Sequence, residues 1–481
     1  MYNYSRRDFF KTAGLGALCA ALPGCMDTLK AISDSAFAVR HPTDNTSSTD
    51  KPNIIFCMTD DQGWGDTGYN GHPVIKTPNL DRMSKEGIRF DRWYSAAPVC
   101  SPTRGSCLTG RHPYRYGIFS ANVGHMPKEE ITLAEALKTQ GYTTGHFGKW
   151  HLGTLTTKIK DGRRGGRKNE HYSPPWENGF DECFSTEQAI PTWNPMENQS
   201  RETRYWLGED KYATQNLKGD DSRVIMDRVI PFIRKAAKQN TPFLAVVWFH
   251  TPHARVLAGP EYRKMYADRT ENEQHYFGCI TAMDEQIGRL RGELEKLAIA
   301  ENTMLWFSSD NGPEGTKGKR KRHQGSSGGF RGRKRSLFEG GVRVPGMLVW
   351  PAKIGKPRGV KIPCCTSDYF PTILDVAGFT MKGQPKPIDG VSLLGLIEDK
   401  MTERPQPIGF ESGKQISLTD NRYKLISIDK GGTYMLFDLS EDPYEKKDIA
   451  NEKPEIVKQM KKTLNKWRAS CKLSLDGKDY K

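Results

Sequence analysis

Apolar runs alternate with amphipathic helical stretches along most of this chain, a pattern that predicts an α/β domain with a largely parallel sheet between helices. Four runs stand out by the polar residues just past their carboxyl ends. NIIFCM, residues 53–58, is a buried-strand candidate that delivers Asp60 and Asp61. FLAVVWF, residues 243–249, delivers His250 and His253, and MLWF, residues 304–307, delivers Asp310 and Asn311. A weaker strand over 142–147 comes after a helix with a Thr132/Glu135 capping box and a stop at Gly141, and it delivers Lys149 and His151. Ligands of open α/β sheets bind outside the carboxyl ends of the strands. Four strands therefore aim polar groups at one place. From about residue 400 the pattern changes to short strands over 423–428 and 434–439 and a helix over 454–470, a small α+β subdomain. The predicted organisation is a leader and linker at 1–50, a main domain at 51–399 and a C-terminal subdomain at 400–481.

With 481 residues, 36% of them hydrophobic, the chain can bury a substantial core. Its net charge of +15 favours a polyanionic partner: nucleic acid, an anionic membrane, or a sulfated or phosphorylated substrate. The leader narrows the compartment. SRRDFFK pairs two arginines with aromatics, and the apolar run at 13–22 is too short to span a bilayer, which reads as a twin-arginine export signal. LPGC places Cys25 like a lipoprotein cleavage site, the alternative being cleavage after Ala38. The expected partner is the twin-arginine export machinery, and the expected location is periplasm or envelope. Membrane attachment is expected only through a lipid anchor at Cys25. The ten cysteines form neither a disulfide framework nor a zinc spacing, and Cys364 and Cys365 read as core or strand residues.

Asp60, Asp61, Asp310 and Asn311 are oxygen donors, suited to a hard cation: Ca²⁺ first and Mg²⁺ second. Singly, each Asp is more often a turn or cap residue; the DD and DN pairs at two strand ends reverse that weighting. Arg104, Lys149 and Lys334 add cations of the kind that hold a tetrahedral oxyanion, and the set suits ester cleavage at sulfur or phosphorus. In CSPTRGSCLTGR, residues 100–111, Pro102 suits the first turn of a helix running through Leu108. Cys100 then stands at the helix N-terminus, where a thiolate would be reactive; the competing reading is a small buried hydrophobe.

CSPTR resembles the Cys-x-Pro-x-Arg signature of the formylglycine-dependent (type I) sulfatases. SAAPVCSPTRGSCLTGR is similar to the family's first signature and GYTTGHFGKWH to its second, while TDDQGWGD, TPNLDRMSKEGIRF, SDNG, FEGGVRVP and FDLSEDPYEKKDIA resemble further family blocks. Cys107 and Phe147 depart from the usual residues, both at apolar packing positions. The resemblance implies an alkaline-phosphatase-like fold: a central mixed sheet between helices, with a small C-terminal subdomain. It implies a calcium ion held by Asp60, Asp61, Asp310, Asn311 and the modified Cys100, which a formylglycine-generating maturation enzyme oxidises to an aldehyde before export. One hydroxyl of the aldehyde hydrate attacks sulfur, and the other expels sulfate. His253 and Lys334 serve the leaving oxygen, His151 is the base, and Lys149 and Arg104 hold the diol and the sulfate oxygens.

The expected substrate is a sulfated carbohydrate and not a nucleic acid. His250 either contacts the leaving sugar or closes its strand structurally. Two glycine-rich basic loops, residues 158–168 and 317–335, are candidates for polymer contact, with Lys319, Arg320 and Lys321 singled out; the alternative is a solvated face. The aromatic stretch at 193–206 is a candidate for stacking on a sugar. The rival functions are a phosphodiesterase or phosphonate hydrolase of the same superfamily and a non-catalytic polyanion binder.

Overall fold

The computed structural model describes residues 51–166, 169–199, 201–315 and 324–480. The leader with Cys25 and the Lys319–Arg320–Lys321 cluster lie outside them.

The strand Asn53–Thr59 organises the fold. It pairs in parallel with Phe243–Trp248 on one side and Thr303–Ser309 on the other, and every residue after Asn53 is buried. Successive side chains point to opposite faces of a sheet. Ile54, Phe56 and Met58 enter one core, with Trp93, Trp150, Trp248 and Trp306. Ile55 and Cys57 enter the other, beneath the helices Asp221–Lys238 and Glu271–Lys296. Burial on both faces is why these strands read as unbroken apolar runs.

Ten strands form this sheet, in the order Arg358–Val360, Ile88–Phe90, Gly346–Val349, Thr303–Ser309, Asn53–Thr59, Phe243–Trp248, Thr143–Lys149, Glu182–Thr186, Trp206–Gly208 and Lys211–Tyr212. The five strands from Thr303–Ser309 to Glu182–Thr186 run parallel, and antiparallel pairings flank them. The sheet is thus largely parallel, as the periodicity predicts, and mixed, as the family resemblance implies. The weak strand at 142–147 is real and runs Thr143–Lys149. Its preceding helix, Leu133–Lys138, carries the Thr132/Glu135 capping box, and Gly141 takes a left-handed φ of 81° after it.

Past the strand ends the chains stay together. The Asp60 amide donates to the Thr251 carbonyl at 2.9 Å and the Asp310 amide to Thr59 at 3.1 Å, so the three connecting segments leave the sheet as one cluster.

Near the C-terminus, Ile408–Ser412, Gln415–Thr419, Tyr423–Ser427 and Met435–Asp438 form an antiparallel meander. The helix Pro454–Leu475 covers it through Met460 and Leu464. Phe410, Ile426 and Phe437 share a core with Tyr94, Leu337 and Val342, and buried Lys424 pairs with Glu339 at 2.9 Å and Glu445 at 3.0 Å. Cys364–Cys365 is a short buried strand beside Trp93–Tyr94, and the eight described cysteines are all free and buried.

Candidate active site

The helix Cys100–Thr109 begins at Cys100, with Pro102 in its first turn, and all ten of its residues are buried. Gly110 ends it in a left-handed conformation. Cys100 lies on the floor of a cavity of about 710 Å³, with Asp61, Lys149, His151, His253 and Lys334. Arg104, Asp60, Asp310 and Asn311 stand behind that floor, fully buried. The four strand ends and the cysteine helix do meet. The thiolate expected at Cys100 is corrected: burial pushes the thiol up, with Asp60 and Asp310 adding to it, and Lys149 and Lys334 do not compensate. An unmodified Cys100 is a neutral thiol here, because the helix end that favours negative charge is also cut off from water.

Each cation on this floor is matched to a carboxylate. Lys149 Nζ donates to Asp60 Oδ2 at 2.7 Å, Arg104 Nη2 to Asp310 Oδ2 at 2.6 Å, and Lys334 Nζ to Asp61 Oδ2 at 2.8 Å. Arg104 also donates to the Lys149 carbonyl at 3.0 Å and stacks on Trp248, 5.1 Å from the ring centre. Burial pulls Asp61 upward, yet Lys334, His253 and Lys149 hold its carboxyl well below the usual carboxylate range. Burial also works against charge on Lys334; Asp61, Cys100, Asp60 and Glu314 outweigh it and raise its pKa. Asp310 moves the other way, pushed up to about 7 by burial and by Asp60.

Ligand atoms of Asp60, Cys100 and Asp310 lie within 4.8 Å of one another, as do those of Asp60, Asp61 and His253. Asp60 Oδ1 and Asn311 Oδ1 are buried without a hydrogen-bond partner, while Asn311 Nδ2 donates to Asp61 Oδ1 at 2.8 Å. Orphaned buried acceptors are costly, and an oxygen-rich set with two of them fits a hard divalent cation.

The histidines separate by environment. His151 is buried with φ 60°, its Nε2 3.0 Å from Asn122 Oδ1 and its Nδ1 unpartnered. Burial first, then Lys149 and Arg104, hold its pKa well below the ordinary value, so the ring is neutral and able to accept a proton. His253 Nε2 is 3.7 Å from Asp61 Oδ2, and its Nδ1 faces the Ala254 carbonyl at 2.8 Å. Burial pushes it down to about 3 against the pull of Asp61.

His250 is not a substrate contact. It is wholly buried, with Nδ1 2.7 Å from Asp221 Oδ2 and Nε2 2.8 Å from Thr186 Oγ1, which locks a strand end to a helix. Of the aromatic stretch, Trp193 is half-buried, its ring packed over Gly259, and the other two aromatics offer no stacking face. Tyr205 and Trp206 are buried, Tyr205 stacking on Phe184; the same segment instead brings Gln199, Arg201 and Thr203 to the cavity. Of the basic loop at 158–168, Arg163 lines the cavity, whereas Lys158 turns aside to pair with Asp210. Sequence reasoning missed Asn122, which orients His151, and Glu314, which braces Lys334 at 3.3 Å. Asn122 lies at no strand end, and only an Asn tolerant of φ 62° left a faint signal there; Glu314 follows Asp310 and Asn311 past their strand but carries no pattern that singles it out.

A family model described as Sulfatase matches residues 52–379. The chain belongs to the sulfatase family. A second model, described as N-sulphoglucosamine sulphohydrolase, C-terminal, matches residues 328–470 of this sulfatase. N-acetylgalactosamine-6-sulfatase of Sus scrofa is 33% identical over 383 residues, covering 75% of this chain and 69% of that protein. An ulvan-active sulfatase of Formosa agariphila is 30% identical over 468 residues, covering 89% and 83%. Among solved structures, a Pseudoalteromonas sulfatase superposes with a TM-score of 0.74 at 22% identity, over 88% of this chain and 91% of that one. This sulfatase is accordingly a sulfuric ester hydrolase on an alkaline-phosphatase-like fold.

Proposed function

We propose that this sulfatase removes sulfate from a sulfated carbohydrate, using a formylglycine hydrate made from Cys100 and a divalent cation held by Asp60, Asp61, Asp310 and Asn311. Calcium is the first choice of ion and magnesium the second. One observation carries the reading: Asp60, Cys100 and Asp310 converge to within 4.8 Å at the closed end of a cation-lined cavity. The names of the ulvan-active and N-acetylgalactosamine-6-sulfatases support a carbohydrate substrate.

When present, the ion and the hydrate supply a polarised sulfate and an oxygen nucleophile. The chain's own residues do the rest. Arg104, buried and stacked on Trp248, holds Asp310 and the Lys149 end of its strand in register. Lys149 and Lys334 put positive charge where sulfate oxygens would sit. Lys334 and His253 flank Asp61 on the cavity side, placed to meet the leaving oxygen. His151, neutral and fixed by Asn122, can take a proton at its unpartnered Nδ1.

The burial of Cys100 and its whole helix supports conversion by the maturation enzyme before the chain folds. The SRRDFFK leader supports twin-arginine export to periplasm or envelope, with Cys25 as a lipid attachment point. The test compares 4-nitrophenyl sulfate with 4-nitrophenyl phosphate and then screens sulfated oligosaccharides for release of sulfate. Preferred turnover of the phosphate, or release from no sulfated sugar, overturns the reading.

A further inference from the structure

Charges are paired on the floor of the cavity and unpaired at its mouth. Asp61 and Glu314 are the only carboxylates among the described lining residues, and both are taken: Asp61 by Lys334, and Glu314 by Lys334 at 3.3 Å and by Arg335 at 2.5 and 2.9 Å. Arg163, Arg201, Arg255 and Lys414 also line the cavity, all exposed. None of the four forms an ion pair with a described residue.

Their neighbours behave differently. Between residues 158 and 204, Lys158 pairs with Asp210, Lys160 with Glu202, Arg164 with Glu187 and Arg204 with Asp161 and Glu202. Arg163 and Arg201 are the described cations of that stretch left without an acid, and both turn toward the cavity. Their backbones are fixed. The Arg163 amide donates to Glu187 Oε2 at 3.0 Å. Gln199 clasps Thr203 on both sides of Arg201, accepting its amide at 2.8 Å and donating to its carbonyl at 3.2 Å. Arg255 Nη1 donates to the Asn198 carbonyl at 2.6 Å, tying the His253 loop to the same wall. Lys414 comes from the turn of the C-terminal hairpin, which docks where the Gly413 amide meets the Tyr114 hydroxyl at 3.0 Å. Arg163, Gln199 and Arg201 line an adjoining depression of about 760 Å³ as well, so the unpaired guanidinium groups stand between the sulfate-cleaving floor and a second space. Cations of one sign lining a concave site focus their field and favour an anion within it.

We infer that Arg163, Arg201, Arg255 and Lys414 form a second anion subsite, which takes a sulfate ester or carboxylate on the residue next to the one being desulfated. This rests on the proposed sulfatase reaction and narrows its substrate to multiply anionic chains. Guanidinium forks suit either oxyanion.

The test needs no knowledge of the sugar. Alkanediol bis-sulfates of graded length, the matching monosulfates and the matching sulfato-carboxylates are assayed as competitors of 4-nitrophenyl sulfate hydrolysis by the matured enzyme, and by calorimetric titration of the same protein. At one or more lengths a dianion should bind about tenfold better than its monosulfate. Arg163→Gln/Arg201→Gln should abolish that advantage, while Arg163→Lys/Arg201→Lys should keep most of it. An advantage from the bis-sulfate alone identifies a sulfate subsite, and one from both dianions a general anion subsite. No advantage at any length, or one that persists in the Gln double variant, overturns the inference. If hydrolysis is absent but the calorimetric advantage follows the arginines, the subsite stands and the sulfatase reading falls.

Discussion

Lys149 Nζ and Asp60 Oδ2 lie 2.7 Å apart, with neither side chain exposed to solvent. Such a pair costs desolvation on both sides, and removing one partner strands the other charge at about 3–5 kcal/mol. Lys149→Met should therefore lower stability by that order in chelator. Calcium should recover part of the loss, because a cation among Asp60, Asp310 and Asn311 replaces the missing charge. Thermal denaturation with and without calcium measures both effects; a variant as stable as wild type in chelator would refute the pairing argument.

Metal binding is expected to stabilise the unaltered protein too. Calcium should raise Tm and a chelator should reverse the rise, with magnesium giving a smaller shift. Asp310→Ala should abolish both the shift and sulfate release, and it also frees Arg104 from its 2.6 Å partner. A calcium shift of full size in that variant would exclude Asp310 as a ligand.

Cys100 should be found as formylglycine, in a peptide lighter than the encoded one, when the chain is made beside a compatible maturation enzyme. Because Cys100 is 2% exposed, folded unconverted protein should resist that enzyme, whereas a peptide spanning residues 95–111 should be converted. Cys107→Leu should retain activity per folded molecule but lose about 1–3 kcal/mol of stability by overpacking, since Cys107 is wholly enclosed. Full activity in protein whose Cys100 is an intact thiol would sink the mechanism.

His250→Ala should behave as a structural lesion. It leaves Asp221 Oδ2 without its histidine partner and removes one of the two partners of Thr186 Oγ1, so a stability loss of about 2–4 kcal/mol is expected, with KM for an aryl sulfate little changed at temperatures where the variant remains folded. A large KM increase with normal stability would restore His250 to the substrate site.

His112 gives a pH dependence remote from the metal ligands. Burial, with Arg115 adding to it, pushes its pKa down to about 4 from an ordinary 6.5, although Asp389 pulls it back. The unfolded chain therefore binds a proton between pH 6.5 and 4 that the folded chain does not. The contribution is complete above pH 6.5 and is lost as pH falls to 4, about 3 kcal/mol in all. In His112→Asn, whose oxygen can still accept the Tyr114 amide now received by Nδ1, denaturation midpoints should fall less steeply over that window. An unchanged slope would show that His112 is not the group responsible.

Sequence alone determined the strands at 53–58, 243–249 and 304–307, the weaker one at 142–147 and the cysteine helix, because these elements depend on local periodicity and capping. It also pointed to most of the polar groups that meet, since the carboxyl ends of neighbouring parallel strands open at one edge of the sheet: Asp60, Lys149, His253 and Asp310 all reach one site, although His250 at the same edge does not. Residue type and spacing were enough for the family. Tertiary structure decided what depends on partners remote in the chain. Asp221, 29 residues from His250, turned a candidate sugar contact into a buried brace; Asn122 and Glu314 gained roles that no local pattern marks. The basic loop behaves the same way. Arg163 and Arg164 are adjacent and identical in type, yet Glu187 neutralises Arg164 and leaves Arg163 unpaired at the cavity mouth, because electrostatic pairing is settled by distance in space, which neither composition nor periodicity records.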